Sequence, residues 1–427
     1  MIKEHKFNNY FYSFHQPMHL IKKHINILLP LLIISAISRR FIPELRFLYY
    51  LTPVLLVLFI VVGYDKIFQK KRHKTLTIML LAFGLWAMIT ALWSDHPLYS
   101  LGRAGYFVLL VFGSVSAITF WSNTKEFKNN PFSFLLFANI FLIVVSLLSL
   151  FFDWPEDAWT GGNKHGFMGI FQVQLSLGSA MLVTLLAPLY NLLKLKWQNV
   201  NVNIEEKKNY NFKQITINVL LLALSILVMI LSHSRAALLS LFILGGMTLF
   251  ILFNNKQKLY FVGFLILIPL IITSNSFLKT NIEKYLLKGS EHITANRDIL
   301  WSPTWEAAKF GGIAGIGYGI SDSEIITQYQ ITDHNGILRR EKGSSFLALI
   351  EEVGIIGLIL FLIPSVFVFK NYLLSKNKIL ALTINISMLV ALVVHAQFES
   401  WMVGLSEFNL LIFLMFLFLT NILISKQ

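Results

Sequence analysis

ITINVLLLALSILVMILSHSRAALLSLFILGGMTLFILF, Ile215 to Phe253, is two apolar runs parted by four polar residues, Ser232-His233-Ser234-Arg235. A hydrocarbon layer about 30 Å thick is crossed by roughly 20 apolar residues in a helix. Each run is close to that length and apolar on every face, as helices in a bundle or in lipid are. Four residues suffice for a tight reversal and little else. The stretch therefore reads as a helical hairpin across a bilayer, with a permanent cation, Arg235, at its bend.

The rest of the chain repeats the pattern. Of 427 residues, 56% are hydrophobic and 14% charged, with a mean hydropathy of +0.65, too apolar for a soluble chain of this length. Runs such as VLLVLFIVVG and LLIFLMFLFLTNILI lack the alternation of a membrane β-barrel. The expectation is an all-α integral membrane protein of about twelve spans, near 25–43, 47–63, 75–93, 104–121, 132–152, 171–191, 215–231, 236–253, 259–274, 345–369, 378–396 and 403–424. No small-residue cleavage site follows the first run, which ends in Ser38-Arg39-Arg40, so it is expected to remain as an anchor.

Orientation follows from the cations. With both termini cytoplasmic, 22 of the 36 Lys and Arg lie inside and 14 outside, 8 of those in one long segment, 275–344, which the positive-inside rule does not govern. The short loops then divide 22 against 6. The chain divides into spans one to nine (1–274), a large outward loop carrying short helices (275–344) and spans ten to twelve (345–427). Net charge of +14 thereby reflects topology and not nucleic-acid binding. The absence of cysteine removes disulfides, thiolate metal sites and a Cys nucleophile. RDILWSPTWEAAKF, 297–310, is expected to form an amphipathic helix in the large loop.

Arg103, Arg235, Arg297, Arg339, Arg340 and Lys342 all fall on the outer side of this topology. A guanidinium is a planar fork matched to phosphate oxygens, so the cluster suits an anionic headgroup or a lipid-linked phosphate. Each arginine could instead anchor a helix end by snorkelling, the simpler reading for Arg39, Arg40 and Arg46. Beside the cations stand His334, Glu341, Glu351, Glu352, His395 and Glu399. Glu351 and Glu352 open an apolar run, where ionisable groups are costly and usually functional, or form an interhelical pair. GIAGIGYGISD, 312–322, fits a tight turn with exposed amides better than a nucleotide loop. No His/Asp/Glu spacing argues for a metal, and no G-x-S-x-G nucleophile motif is present.

Several stretches together resemble the bacterial O-antigen ligase/polymerase superfamily from about residue 75 to the C-terminus. ALWSDHPLYSLGRA (91–104) is similar to its S-x-x-W-S-x-x-P-x-x-A-L-x-R segment, and GIFQVQLSLG (169–178) to G-x-F-x-x-x-N-x-x-G, with Leu175 in place of Asn. SHSRAALLS is similar to the S-R-G/A motif, RDILW (297–301) to R-x-x-x-W, and GIAGIGYG (312–319) to the glycine-rich turn after it. In GSSFLALIEEVGIIG (343–357), Leu347, Glu352, Gly354 and Gly357 keep the register of H-N-x-x-L-x-x-x-x-E-x-G-x-x-G, while Gly343 and Ser344 stand for His and Asn.

The resemblance implies a bacterial inner-membrane glycosyltransferase with its site facing the periplasm and a glycan on undecaprenyl diphosphate as donor. It also implies inverting transfer without a metal or other cofactor, to a glycan or lipid-linked acceptor, among membrane lipids. Arg235 would hold the donor diphosphate, with Arg297 and then Arg103 or Arg340 completing the clamp. Glu352 is the first candidate for proton acceptor and His334 the second. Since the ligase branch uses the absent histidine to activate its acceptor, polymerisation of lipid-linked repeat units is favoured. Ligation to lipid A core or another acceptor comes next, then a lipid-oligosaccharide flippase, which would be expected to show related halves.

Overall fold

The structure is a computed structural model. It describes residues 24–67, 71–152, 154–155, 158–159, 166–198, 208–274, 276, 280, 297–321, 330–332, 338–340, 342–375, 379–404 and 408–425. The major helices are α1 (His24–Ser38), α2 (Leu51–Ile67), α3 (Lys71–Ile89), α4 (Pro97–Trp121), α5 (Leu136–Phe152), α6 (Gln174–Thr184) and α7 (Leu186–Gln198). They continue with α8 (Lys208–Leu231), α9 (Arg235–Leu252), α10 (Asn255–Ser274), α11 (Arg297–Gly311), α12 (Ser345–Leu374), α13 (Leu380–His395) and α14 (Phe408–Ser425).

Among the described residues nine helices are long and apolar enough to cross a membrane, and α1 and α13 are shorter apolar helices. The chain is a multi-pass helical membrane protein. The hairpin at 232–235 is present, with α8 ending at Leu231 and α9 opening at Arg235. Several boundaries differ from expectation: the first apolar helix ends at Ser38 rather than 43, α8 begins at Lys208 rather than 215, and α14 begins at Phe408 rather than 403. The fourth span, expected from 104, begins at Pro97, because a proline at the first helical position needs no backbone partner for its nitrogen and presets φ. These seven extra residues, about two turns, bring Arg103 into a helix.

The bundle closes around α14, which is buried along almost its whole length. A helix apolar on all faces can sit there without exposing a polar stripe. It packs on α4 and α13, α2 packs on α4, α3 on α4 and α12, and α9 on α13. Small residues let α2 and α4 approach, since a Cβ at Gly113 would strike Leu56. Polar side chains tie helices where water is absent: Asn139 Nδ2 donates to Ser225 Oγ at 2.8 Å and Thr184 Oγ1 at 3.2 Å, and Asn385 Nδ2 donates to Thr420 Oγ1 at 2.6 Å.

In the long segment before α12, α11 covers 297–311, one residue beyond the expected helix. It packs on α12. A short antiparallel pair was not expected: β1 (Gln330–Thr332) and β2 (Leu338–Arg340), with Gln330 opposite Arg340.

Candidate active site

Helix α12 is broken at Gly354, whose φ of 72° and ψ of −178° lie outside helical space. The break frees backbone groups that must be satisfied inside a membrane protein. The turn after α11 does this. Ile316 and Gly317 donate their amides to the carbonyls of Glu351 (2.9 Å) and Glu352 (3.0 Å), while the amides of Ile355 and Ile356 donate to Gly312 (3.1 Å) and Ile313 (3.3 Å). Trp86 Nε1 donates to the Val353 carbonyl at 2.8 Å, and Trp93 Nε1 to that of Gly315 at 2.8 Å. A side chain at 354 would be strained by φ and would meet the Ile313 carbonyl. The glycine-rich turn and the glutamate motif are thus one interlocked unit, with Trp86 and Trp93 holding it to α3 and its 3-10 extension.

On that unit four charges are buried together. Arg340 Nη2 donates to Glu351 Oε1 at 2.9 Å and Oε2 at 3.0 Å. Lys342 Nζ reaches Glu352 Oε1 at 2.6 Å, the Ile320 carbonyl at 3.0 Å and Glu351 Oε2 at 3.3 Å. The second Glu352 oxygen accepts the Gly319 amide at 2.7 Å. Two cations and two anions in a dehydrated site balance, and the loss of any one would strand its partner.

Arg103 closes this group from α4. Its guanidinium lies 5.7 Å from the Tyr99 ring centre and 5.9 Å from that of Tyr318, Nη1 donates to Tyr99 Oη at 3.2 Å, and Nη2 donates to the Val403 carbonyl. It is only partly buried and, among the described residues, pairs with no carboxylate. Burial pushes the Tyr318 phenol above its ordinary value, with Arg103 opposing.

Arg235 stands at the head of α9, after a turn in which His233 takes φ 51°, a conformation in which histidine is enriched. Gly178 of α6 receives this turn, as a Cβ there would collide with Ser234. The segment before α6 pairs with the end of α1: the Ile42 amide donates to Ile170 and the Gln172 amide to Arg40, each at 2.8 Å. Between these pieces lies a cavity of about 60 Å³ lined by residues that include Arg40, Ser176, His395, Glu399, Trp401 and Asn409. The two regions share the 396–403 segment. Ser345 donates its amide to Ala396 at 2.8 Å and its hydroxyl to the Glu399 carbonyl at 2.6 Å.

The fold thus assembles Glu352, Arg340 and Arg103 in one region and places Arg235 directly after the turn that packs on α6, a helix lining the second. Glu352 and Arg340 are both engaged by oppositely charged neighbours. Arg297 is the first residue of α11, while its side chain lies outside the described residues, as does His334. Trp301 Nε1 donates to the Gly343 carbonyl at 3.1 Å, so R-x-x-x-W buttresses the position where histidine is usual in the resembled motif. Gly343 itself has φ +62° and its Cβ direction is filled by Leu300 and Trp301. Sequence reasoning left out Tyr318, Trp401 and Asn409, did not foresee Glu352 as the partner of the Gly319 amide, and read Arg40 as a helix anchor; only the short reach from α1 to residue 172 brings Arg40 here.

Residues 220–362 match the family model described as O-Antigen ligase. The matched stretch runs from within α8 to within α12, taking in the Arg235 bend, α11, the glycine-rich turn and the glutamates. It supports placing the chain in the O-antigen ligase-like superfamily. No curated protein matches the chain.

Proposed function

We propose that the chain is an inner-membrane glycosyltransferase of twelve spans, with cytoplasmic termini, that polymerises undecaprenyl-diphosphate-linked repeat units on the periplasmic face. The observation that carries the reading is the gathering of the Arg103, Arg340, Lys342, Glu351 and Glu352 group on segment 396–403, which also lines a cavity with α6, the helix that packs on the Arg235 bend.

In the proposed step an acceptor hydroxyl oxygen attacks the anomeric carbon of the donor glycan from the face opposite the diphosphate. The carbon–oxygen bond to the diphosphate breaks, its electron pair leaves with the diphosphate, and the hydroxyl proton passes to a base. Arg235 and Arg297 hold the growing negative charge and Arg103 completes the clamp, doing electrostatically what a metal does elsewhere. Arg340 stands outside the clamp and fixes Glu351. Glu352 is the proposed base, in a bound state where the hydroxyl displaces Lys342 from Oε1, as catalytic hydrogen bonds often tighten only with substrate present. His334 is the second candidate.

Polymerisation is favoured over ligation by Gly343, because a histidine side chain there would need the space held by Leu300 and Trp301. Ligation is the second reading, favoured by the description of the matched family. The test is incubation of purified protein with a lipid-diphosphate-linked repeat unit, with and without a lipid A core acceptor. A ladder without the second acceptor is the result expected of a polymerase, and product only in its presence would mean ligase. Movement of lipid-linked glycan across vesicles with no new glycosidic bond would mean a flippase.

A further inference from the structure

Two residues that line the Arg40 cavity each carry a buried polar atom with no hydrogen-bond partner among the described residues: the Trp401 Nε1–H and Asn409 Oδ1. The two residues are 3% and 6% exposed. A buried donor and a buried acceptor left unmade are each costly, so such a pair points to a missing occupant. The occupant must offer an acceptor to the indole and a donor to the amide oxygen, and a hydroxyl does both.

We propose that this cavity is a subsite for the hydroxyl-bearing edge of the acceptor sugar, separate from the group that holds the donor diphosphate. This deepens the glycosyltransferase reading and rests on it. Charge argues the same way. Arg40 and Glu399 offset one another in the lining, giving a surface suited to a neutral polyol, whereas a diphosphate would call for an excess of cations. Size agrees, since about 60 Å³ exceeds the roughly 10–15 Å³ that one water needs and admits several water-sized groups. Trp401 is fixed by packing on Phe413, with ring centres 5.6 Å apart, so its N–H is held in place before a ligand arrives. Ser176, one turn into α6, adds a hydroxyl to the wall. Arg235 follows the turn that packs on Gly178 of the same helix. An acceptor seated here therefore lies on the side of the proposed diphosphate clamp.

The test uses the full-length protein in nanodiscs with lipid-linked repeat unit as donor. The acceptor probe is the diphosphate-free oligosaccharide released by mild acid from the host's own lipid-linked pool. Trp401→Phe and Asn409→Leu are expected to raise the KM for this probe about tenfold with the donor KM unchanged, whereas Asn409→Asp, which keeps an oxygen, should lose little. An unchanged probe KM in both variants, or a parallel rise in donor KM, overturns the subsite and leaves the cavity to water. Calorimetric binding of the same oligosaccharide needs no turnover, so it separates this proposal from the glycosyltransferase reading. Binding by the native protein that weakens in both monodisperse variants supports the subsite. Absence of binding, or equal affinity in all three proteins, ends it.

Discussion

Replacing Glu351 by Gln is the sharpest perturbation of the buried charge group. The Arg340 and Glu351 side chains are 1% and 0% exposed, and they meet at 2.9 Å. Glutamine keeps the shape but removes the charge, so the group passes from balanced to one uncompensated cation. Arg340 keeps no carboxylate, and Lys342 keeps only Glu352, at 2.6 Å. Breaking a buried pair from one side costs about 3–5 kcal/mol, whereas removing both partners for apolar residues of similar volume is often nearly neutral. We expect Glu351→Gln, Glu351→Leu and Arg340→Met each to lose about 3–5 kcal/mol. The combination Arg340→Met with Glu351→Leu should return to within about 1–2 kcal/mol of the native protein, a coupling of about 3 kcal/mol or more. Reversible unfolding in mixed micelles, followed by tryptophan fluorescence with added denaturing detergent, measures all four corners of the cycle. A Glu351→Gln protein within about 1 kcal/mol of native, or single losses that simply add, would refute a mutually dependent group.

Arg235→Ala and Arg297→Ala should each lower transfer about a hundredfold, roughly 3 kcal/mol of transition-state stabilisation, with folded protein still in the membrane. Lysine should rescue poorly for want of the fork, and full activity in either alanine variant removes that residue from the clamp. Glu352→Gln should cut turnover far more than donor binding, with His334→Ala milder; the opposite ranking would make the histidine the base and Glu352 a positioning residue. Activity should persist in EDTA, because no group of three or more His, Asp or Glu with metal-binding geometry occurs among the described residues, and loss restored by Mg²⁺ or Mn²⁺ would reverse the assignment. Tyr318 is held neutral by burial, its phenol raised above the ordinary 10.0. The stability that this shift contributes is fully present below about pH 10 and is lost as pH climbs through the raised value. Tyr318→Phe should therefore flatten the alkaline limb of a stability profile, and an unchanged limb counts against the phenol as its source.

The spans were legible because a membrane helix is specified by local apolar length alone, which a stretch such as 215–253 displays without reference to any other residue. The helix at 297–311 was legible for the same kind of reason, its apolar positions recurring at helical spacing. What could not be read locally was the destination of the backbone groups freed at Gly354. Glycine in an apolar run is compatible with an unbroken helix. That residues 312–317 satisfy the break, some forty positions upstream, depends on α11 packing against α12 and on two tryptophans from another helix pair.

The charges teach a narrower lesson. Arg340, Lys342, Glu351 and Glu352 were all visible in the sequence as a cluster, yet an arginine near an outer interface suits a phosphate and a carboxylate equally well. The deciding feature is placement. Arg340 ends β2 and Lys342 follows two positions later, and both side chains reach the glutamates. Glu351 and Glu352 are adjacent on a helix and diverge by about 100°, which leaves room for two cations rather than one. Lys342 reaches both carboxylates, at 3.3 and 2.6 Å, while Arg340 takes only the first. A phosphate bound to Arg340 would have to displace Glu351 from a dehydrated bond and leave that carboxylate to Lys342, which Glu352 already holds. The partly buried Arg103, with no carboxylate among the described residues, faces no such competition, and for that reason it is the better of the two to complete the clamp.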